Sequence, residues 1–401
     1  MSFRRHRPLL SRAPELGYTP GAMTIDKSLG LLPEGLHDDL PPVAAREAAA
    51  IEGLMGCFAG HGYERVKPPL IEFEESLLTG PGAPLSRHMF RLMDPISQRM
   101  MALRSDMTTQ VARIAATRLA HITRPLRLCY AGQVLRVRGS QLRPERQFAQ
   151  AGAELIGADS ISADGEMLSM AARAAIAIGV PELSIDLTVP GLVPILCRQL
   201  GLADDVAETV RVALDRRDAP VLEGLAPELR RPLTALLEAA GPAETALRAL
   251  GRLKLPEEAG RLVNRLAELV ALLGDEAEMP PLTIDPGESR GFEYQTGVSF
   301  TLFAKGVRGE LGRGGRYELV TGEAATGFSL YLDSVLRALP VPPAAAKIYL
   351  PFDAPAGEGR RLRAEGWRVI RGLAPEAETE AEAIRMGCGH LLVDGRITEI
   401  T

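Results

Sequence analysis

The sequence predicts an α+β fold: an antiparallel sheet flanked by helices, with a helical insertion and a small C-terminal α/β domain. Three observations predict it. Arg127–Val137 and Gln147–Gly157 are two strand-like runs joined by a polar turn. Residues 190–275 are patterned for helix throughout, with breakers near Gly201, Pro227, Gly241 and Pro256. After a proline- and alanine-rich linker, Val341 to Ala346, residues 347–401 alternate strand and helix.

The central hairpin organises the rest. Its turn holds Arg138, Gly139, Ser140, Arg143 and Arg146, and its second strand carries Gln150 and Glu154. Cations at one end and a carboxylate at the other suit a small zwitterion or a phosphorylated ligand. A solvated basic turn is the plainer reading of the same residues.

Residues 1–24 contain Arg4, Arg5, Arg7 and Arg12 without a continuous apolar core, so they make a poor secretory signal and are expected to be a disordered leader, with Met1 or Met23 as the start. Val43–Gly60 has helical spacing, with Ile51, Leu54, Met55 and Phe58 apolar, and Gly60 and Gly62 end it. Tyr63–Ile71 reads as a strand in which Pro68 and Pro69 mark an end or an edge, fitting a place where another subunit packs. Met89–Leu103 reads as a hairpin turning at Pro95 and Ser97, and Thr108–Leu119 as a helix with Asp106 at its start. An acidic residue there is a cap, or a carboxylate for a ligand ammonium group. Asp164–Ile178 is expected to be helical and Glu182–Thr188 a strand. Strands follow at Leu282 and at Val298–Phe303. A glycine-rich turn is then expected to hold Gly306, Gly309, Gly312, Gly314 and Gly315 beside Arg313, Arg316 and Tyr317. It does not match a phosphate-cradling GxxxxGK[ST] loop, and a bent hairpin accounts for it. Ala325–Leu339 reads as a strand end running into a helix.

Composition narrows the function classes. The 401 residues are 46% hydrophobic and 24% charged, with net charge −5, which disfavours a general nucleic-acid binder. Four cysteines and six histidines are dispersed, so neither a metal site nor a disulfide framework is expected, and a cytoplasmic setting follows. No apolar run reaches membrane-spanning length. Residues 347–401 carry eight basic and nine acidic residues, a poor balance for gripping RNA.

Ordered landmarks carry a resemblance. PEGLHDDLPP, GYERVKPPLIEFE, LRSDMTTQVAR and RPLRLCYAGQVLRVR followed by RQFAQAGAELIG resemble the catalytic domain of histidyl-tRNA synthetase, a class II synthetase. SRGFEYQTGVSF and GRGGRYELV resemble its histidine signatures, and ATGFSLYLDSVLRAL stands where its third class motif does. The likeness spans roughly residues 30 to 340, and it implies a synthetase-like domain over 25–340, with 190–275 as its helical insertion and 347–401 as a separate small domain. It further implies that Asp106, Thr108 and Gln150 hold an α-ammonium, that Arg290 meets the carboxylate, that Glu154 accepts from the imidazole, and that Tyr317 lines the pocket. Arg136 is the arginine of the second class motif. Gln295 replaces a tyrosine that often contacts imidazole, with Tyr294 beside it as a partial substitute.

Two departures concern ATP. Arg138 stands where the family has a glutamate on the adenine side, and Ser334 follows Asp333 where an arginine holds the phosphates. Adenylate formation depends on cations placed on those phosphates. An amino-acid pocket on such a fold resembles the regulatory subunits of ATP phosphoribosyltransferase, which are not enzymes themselves. This implies a short catalytic subunit as partner, a homodimer within a hetero-octamer, L-histidine as effector, no cofactor, and no role for tRNA. A divergent active histidyl-tRNA synthetase is the alternative, and a tRNA-binding sensor or an enzyme loading another carrier rank below it.

Overall fold

The computed structural model describes residues 30–79, 86–141, 143–289, 294–343, 346–375 and 378–400. Val43–Gly60 is a helix, α1, burying Ala50, Leu54, Met55 and Phe58. Next come β1 (Glu64–Arg65) and β2 (Ile71–Phe73). The single strand expected over Tyr63–Ile71 is therefore two short ones in different sheets. Pro68 and Pro69 have no N–H with which to continue a ladder. A short helix, α2 (Glu74–Leu77), precedes the expected hairpin of β3 (Arg91–Met93) and β4 (Met100–Leu103). Asp94 closes that turn by accepting from the N–H groups of Ile96 and Ser97. The three short strands make a small sheet in the order β2-β4-β3. Helix α3 (Thr108–Thr117) follows.

The central hairpin forms as expected. β5 (Leu126–Leu135) and β6 (Gln147–Ile156) pair without a break from Leu126↔Ile156 to Leu135↔Gln147. Helix α4 (Ile161–Ala177) begins before the expected Asp164, because the Ser160 side chain caps it by accepting from the N–H of Ala163. After β7 (Leu183–Thr188) comes the helical stretch: α5 (Leu192–Gln199), α6 (Asp204–Asp215), α7 (Ala219–Leu222), α8 (Pro227–Ala239), α9 (Ala243–Leu250) and α10 (Glu257–Gly274). A two-residue strand, β8 (Gly241–Pro242), interrupts it.

The chain then returns to the sheet as β9 (Leu282–Ile284), β10 (Gln295–Ala304), β11 (Gly312–Glu318) and β12 (Ala324–Tyr331), and leaves it through α11 (Leu332–Ala338). Here the expected glycine-rich turn needs correction. Only Gly306 and Gly309, with φ of +80° and +82°, belong to the turn, while Gly312, Gly314 and Gly315 lie in β11. That strand is paired on both sides, and its glycines admit side chains from its neighbours.

The nine-stranded sheet has the order β1-β5-β6-β12-β11-β10-β7-β9-β8. Every residue of β6 after Gln147 is buried, and the strand's alternation assigns its two faces. Ala149, Ala151, Ala153 and Leu155 join the core beneath α1 and α4. Phe148 and Ile156 face the other way, into a second core with Val111, Ala112 and Ala115 of α3. Gln150 and Glu154 share their parity, so both lie on the α3 face. The alanines of α4 let that helix approach the sheet closely; Ala171, Ala172, Ala174 and Ala175 are fully buried.

Residues 340–401 form a second compact unit. β13 (Lys347–Leu350), α12 (Glu358–Ala364), β14 (Arg368–Arg371), α13 (Thr379–Arg385) and β15 (His390–Val393) alternate as expected, and β16 (Arg396–Glu399) adds an antiparallel edge. Their order is β14-β13-β15-β16. Among the described residues, no helix is long and apolar enough to cross a membrane.

One buried ion cluster ties the insertion to the sheet. Asp164 of α4 accepts from Arg316 of β11 at 2.7 Å and from Arg265 of α10 at 2.9 Å. The Asp164 and Arg316 side chains are both under 10% exposed. Asp164→Ala leaves the Arg316 cation buried without this partner and is expected to cost about 3–5 kcal/mol. Breaking the exposed Arg198–Glu258 pair should cost about 1 kcal/mol or less. Urea unfolding midpoints of the two variants provide the comparison.

Candidate functional site

On the α3 face, strand pairing sets four residues in a row. Ser299 of β10 opposes Gly315 of β11, Gly315 opposes Gly327 of β12, and Gly327 opposes Glu154 of β6. Directly opposed residues of a sheet point to the same side. Two glycines in the middle of such a row leave a trough floored by backbone. Neither can be replaced without conflict: a Cβ on Gly327 would lie 1.7 Å from Glu154 Oε2, and one on Gly315 would lie 2.7 Å from Gln295 Oε1.

Glu154 is fully buried. Its Oε1 accepts from the hydroxyls of Thr108 (2.9 Å) and Tyr130 (3.0 Å), and its Oε2 from that of Tyr317 (2.9 Å). Burial pushes this carboxyl up to about 8, and nearby Asp106 adds to the rise, while the three hydroxyls pull it down. The same burial, beside the same carboxyl, holds Tyr130 and Tyr317 well above the usual phenol range.

A second group of polar side chains adjoins the row. Gln150 accepts from the Met107 N–H at 2.9 Å and donates to Asp106 Oδ2 at 3.0 Å and Ser329 Oγ at 2.6 Å. Asp106 Oδ1 accepts from the Thr108 N–H at 2.8 Å. Asp106 thus precedes the N-cap residue, Met107, accepts from the first N–H of α3 and also faces Gln150 across to the sheet, so its carboxylate meets the helix start without standing at the cap position itself. Free space in the pocket is ≈ 10 Å³, room for about one water, so an amino acid enters only if the lining shifts.

The structure therefore brings together Asp106, Thr108, Gln150, Glu154, Tyr294 and Tyr317. Tyr294 lines the pocket, with its ring edge-on to Tyr317 at 6.1 Å. Arg290 lies outside the described residues. Arg136 is placed elsewhere: its guanidinium lies 5.1 Å from the Phe148 ring and 5.9 Å from that of Tyr331. Arg143 shares that aromatic corner at 4.3 and 3.9 Å, and there it is buried. Asp333 holds it through hydrogen bonds of 3.0 and 3.2 Å. Of the basic turn, then, only Arg138 fits the solvated reading; Arg146 donates to the backbone carbonyls of Arg136 and Glu34.

Sequence reading left out Tyr130, Arg313, Gly327 and Ser329 as site residues, although Arg313, Gly314, Gly327 and Ser329 line the pocket and Tyr130 bonds Glu154. Strand parity was the available signal. Arg313 alternates with Gly315 and Tyr317, and Tyr130 with Leu128, which opposes Glu154.

Glu154 has a folded-state value above its unfolded one, so the folded chain keeps a proton that the unfolded chain gives up. This group's contribution to stability is then fully present below about pH 4.5 and is lost as pH rises to about 8. Glu154→Gln removes that titration. Its stability relative to the parent should rise by up to about 3–5 kcal/mol between those limits, measured by urea unfolding at pH 5 and pH 8.5.

A family model for histidyl-tRNA synthetase matches residues 35–335. A relative from Rhodospirillum centenum, named ATP phosphoribosyltransferase regulatory subunit, is 56% identical over 377 residues, covering 94% of this chain and 98% of its own. One of the same name from Paramagnetospirillum magneticum is 52% identical over 378 residues, covering 94% and 100%. A solved structure from Bacillus halodurans C, described as an ATP phosphoribosyltransferase regulatory subunit/histidyl-tRNA synthetase, superposes with a TM-score of 0.76 at 24% identity over 91% of this chain and 97% of that one. That last likeness establishes the class II synthetase-like fold. With the two full-length relatives above one-half identity, the chain belongs to the family of ATP phosphoribosyltransferase regulatory subunits.

Proposed function

We propose that this chain is the non-catalytic partner that a short ATP phosphoribosyltransferase catalytic subunit needs for activity, and that L-histidine bound over Glu154 inhibits the complex. It acts in the cytoplasm, as a homodimer within a hetero-octamer. No cofactor is required, and tRNA is not a ligand.

The buried Glu154 carboxyl, with its three hydroxyl donors, carries this reading. A buried site must satisfy each polar group of its ligand. Histidine offers an ammonium group to Asp106, Thr108 and Gln150, an imidazole to Glu154 and a carboxylate to Arg290, with Arg313 also in the lining. Tyr294 and Tyr317 supply the aromatic wall. Arg136 serves the neighbouring aromatic corner.

The nucleotide side supports a non-catalytic role. Arg138 is exposed, Ser334 is fully buried and accepts from Arg337 at 2.9 Å, and Arg143 is bound to Asp333. Cations spent on the protein's own carboxylates do not grip a triphosphate.

Inhibition by histidine requires that it bind one quaternary state better than another. A coupling of about 1–3 kcal/mol is typical and amounts to about 5–150-fold in affinity. The test is co-purification with a short catalytic subunit, followed by phosphoribosyl transfer with and without this chain. Activity should depend on the chain, and histidine should inhibit. In a complex carrying Glu154→Ala, inhibition should need at least about tenfold more histidine. Equal inhibition of both complexes overturns the pocket assignment, and histidine-dependent pyrophosphate exchange by the chain alone overturns the non-catalytic role.

A further inference from the structure

One carboxylate oxygen stands between the pocket and the aromatic corner. Glu310 lies in the turn after Gly309, outside the ladders of β10 and β11. Its side chain is 18% exposed, and its Oε1 is 3.6 Å from Arg143 Nη1 and 3.9 Å from Arg313 Nε. An N–H···O hydrogen bond spans about 2.7–3.2 Å. This oxygen therefore faces two guanidinium groups and is hydrogen-bonded to neither.

The two arginines serve different places. Arg143 belongs to the corner: it lies against Phe148 and Tyr331 and is bound to Asp333. It is buried, and its Nη1 has no hydrogen-bond partner among the described residues. Arg313 belongs to the pocket, whose lining it shares with Glu154 and Tyr317. In the sheet it opposes Ser329, the acceptor for Gln150. Arg313 has a second acidic neighbour, Glu288, whose carboxyl burial pushes up to about 7 and Arg313 pulls back down. Of the two carboxyls, Glu310 is the one paired with Arg143 as well. Tyr331 sits among the same charges: Arg136, Arg143 and Arg313 favour its ionised form, and Glu310 opposes it.

Electrostatics gives this arrangement two settings. A carboxylate arriving at Arg313 brings a further anion to a guanidinium that Glu310 already faces, and the two anions repel. No hydrogen bond holds Glu310 to Arg313. An advance of less than about 1 Å brings Oε1 within hydrogen-bond reach of Arg143 Nη1, a buried donor that lacks an acceptor.

We propose that Glu310 is a positioning residue: it sets Arg313 for a ligand carboxylate and, when that carboxylate arrives, closes on Arg143. This rests on the histidine reading of the pocket, and it names the part of the ligand that signals. Glu310 itself touches no ligand. Arg143 then holds two carboxylates, Glu310 and Asp333, and Asp333 stands in the first turn of α11. A charge bound in the pocket is thereby felt at the helix that leaves the sheet.

The experiment uses the full-length chain in complex with a short catalytic subunit, with L-histidine and with histamine, which keeps the ring and the ammonium group but has no carboxylate. Isothermal titration reads binding, and phosphoribosyl transfer at saturating ligand reads inhibition. Glu310→Gln keeps the side chain's shape and removes its charge. Folded as judged by its melt, this variant should bind L-histidine as tightly as the parent or more so, because the competitor for Arg313 is gone. The preference of histidine for the inhibited state, about 5–150-fold in a typical coupled system, should fall below about threefold, leaving the complex active at saturating histidine. Saturating histamine should likewise leave the parent complex active. A role confined to holding the fold would weaken binding and inhibition together. That parallel loss, full inhibition of the Glu310→Gln complex by L-histidine, or full inhibition of the parent by histamine overturns the role of Glu310 while the histidine reading stands. If L-histidine neither binds nor inhibits the parent complex, the histidine reading fails and this inference with it.

Discussion

The site depends on a buried carboxyl group whose hydrogen-bond partners among the described residues are hydroxyls and not cations. Glu154 Oε2 would meet a Cβ of residue 327 at 1.7 Å, so only glycine permits the carboxyl to lie over β12. Its partners in the chain are three hydroxyls, from α3, β5 and β11. Hydroxyls stabilise an ionised carboxylate less than a guanidinium does, which is why the group keeps a proton into the neutral range. Contrast Asp164, on the other face of the same sheet, which is nearly as buried but faces Arg316 and Arg265. The first environment can exchange a proton or a hydrogen bond with a ligand. The second is a closed ion cluster that holds elements together.

That difference also bears on what could be read from the sequence. The hairpin of β5 and β6 was legible because its apolar runs are long and its turn is polar. Gln150 and Glu154 are four residues apart in a strand, so their common face followed from alternation alone. The C-terminal alternation of strand and helix was equally plain, except for β16, a short run whose side chains are all exposed. By contrast, β11 carries three glycines in seven residues and reads as part of a turn in the sequence. Glycine marks both chain reversal and close approach of neighbouring side chains, and composition cannot separate the two. Pairing on both sides of β11 separates them, with Phe300, Gln295 and Ser299 filling the space its glycines leave.

Arg143 shows the same limit for charge. An arginine in a polar turn is expected in solvent, and Arg138 is there. Arg143 is buried because Asp333, almost two hundred residues later, lies across the sheet, and because Phe148 and Tyr331 present their faces to its guanidinium. Local pattern carries no information on such a partner. Thr108, Tyr130 and Tyr317 likewise come from three separate segments, and only the sheet order brings their hydroxyls to one carboxyl.

The two ends of the platform are joined by a single short segment. Ser329 accepts from Gln150 and is hydrogen-bonded to Tyr130, Tyr331 lies under Arg143, and Asp333 holds that arginine. These residues alternate along β12 and into α11, so a displacement at Ser329 is carried to Asp333 through packed backbone. A rigid strand transmits displacement, but it does not by itself create two states. The bistable part has to lie where the structure must change on binding. That place is the pocket, which has room for about one water. An amino acid forces the lining apart. The sheet strands are fixed by ladders on both sides, so the displacement falls on the helix that faces them, at the start of α3 where Asp106 and Thr108 line up with Gln150 and Glu154. Under the proposed histidine regulation, the opened lining must suit one quaternary state better than another, and β12 is the strand that runs from the pocket at Ser329 towards Asp333.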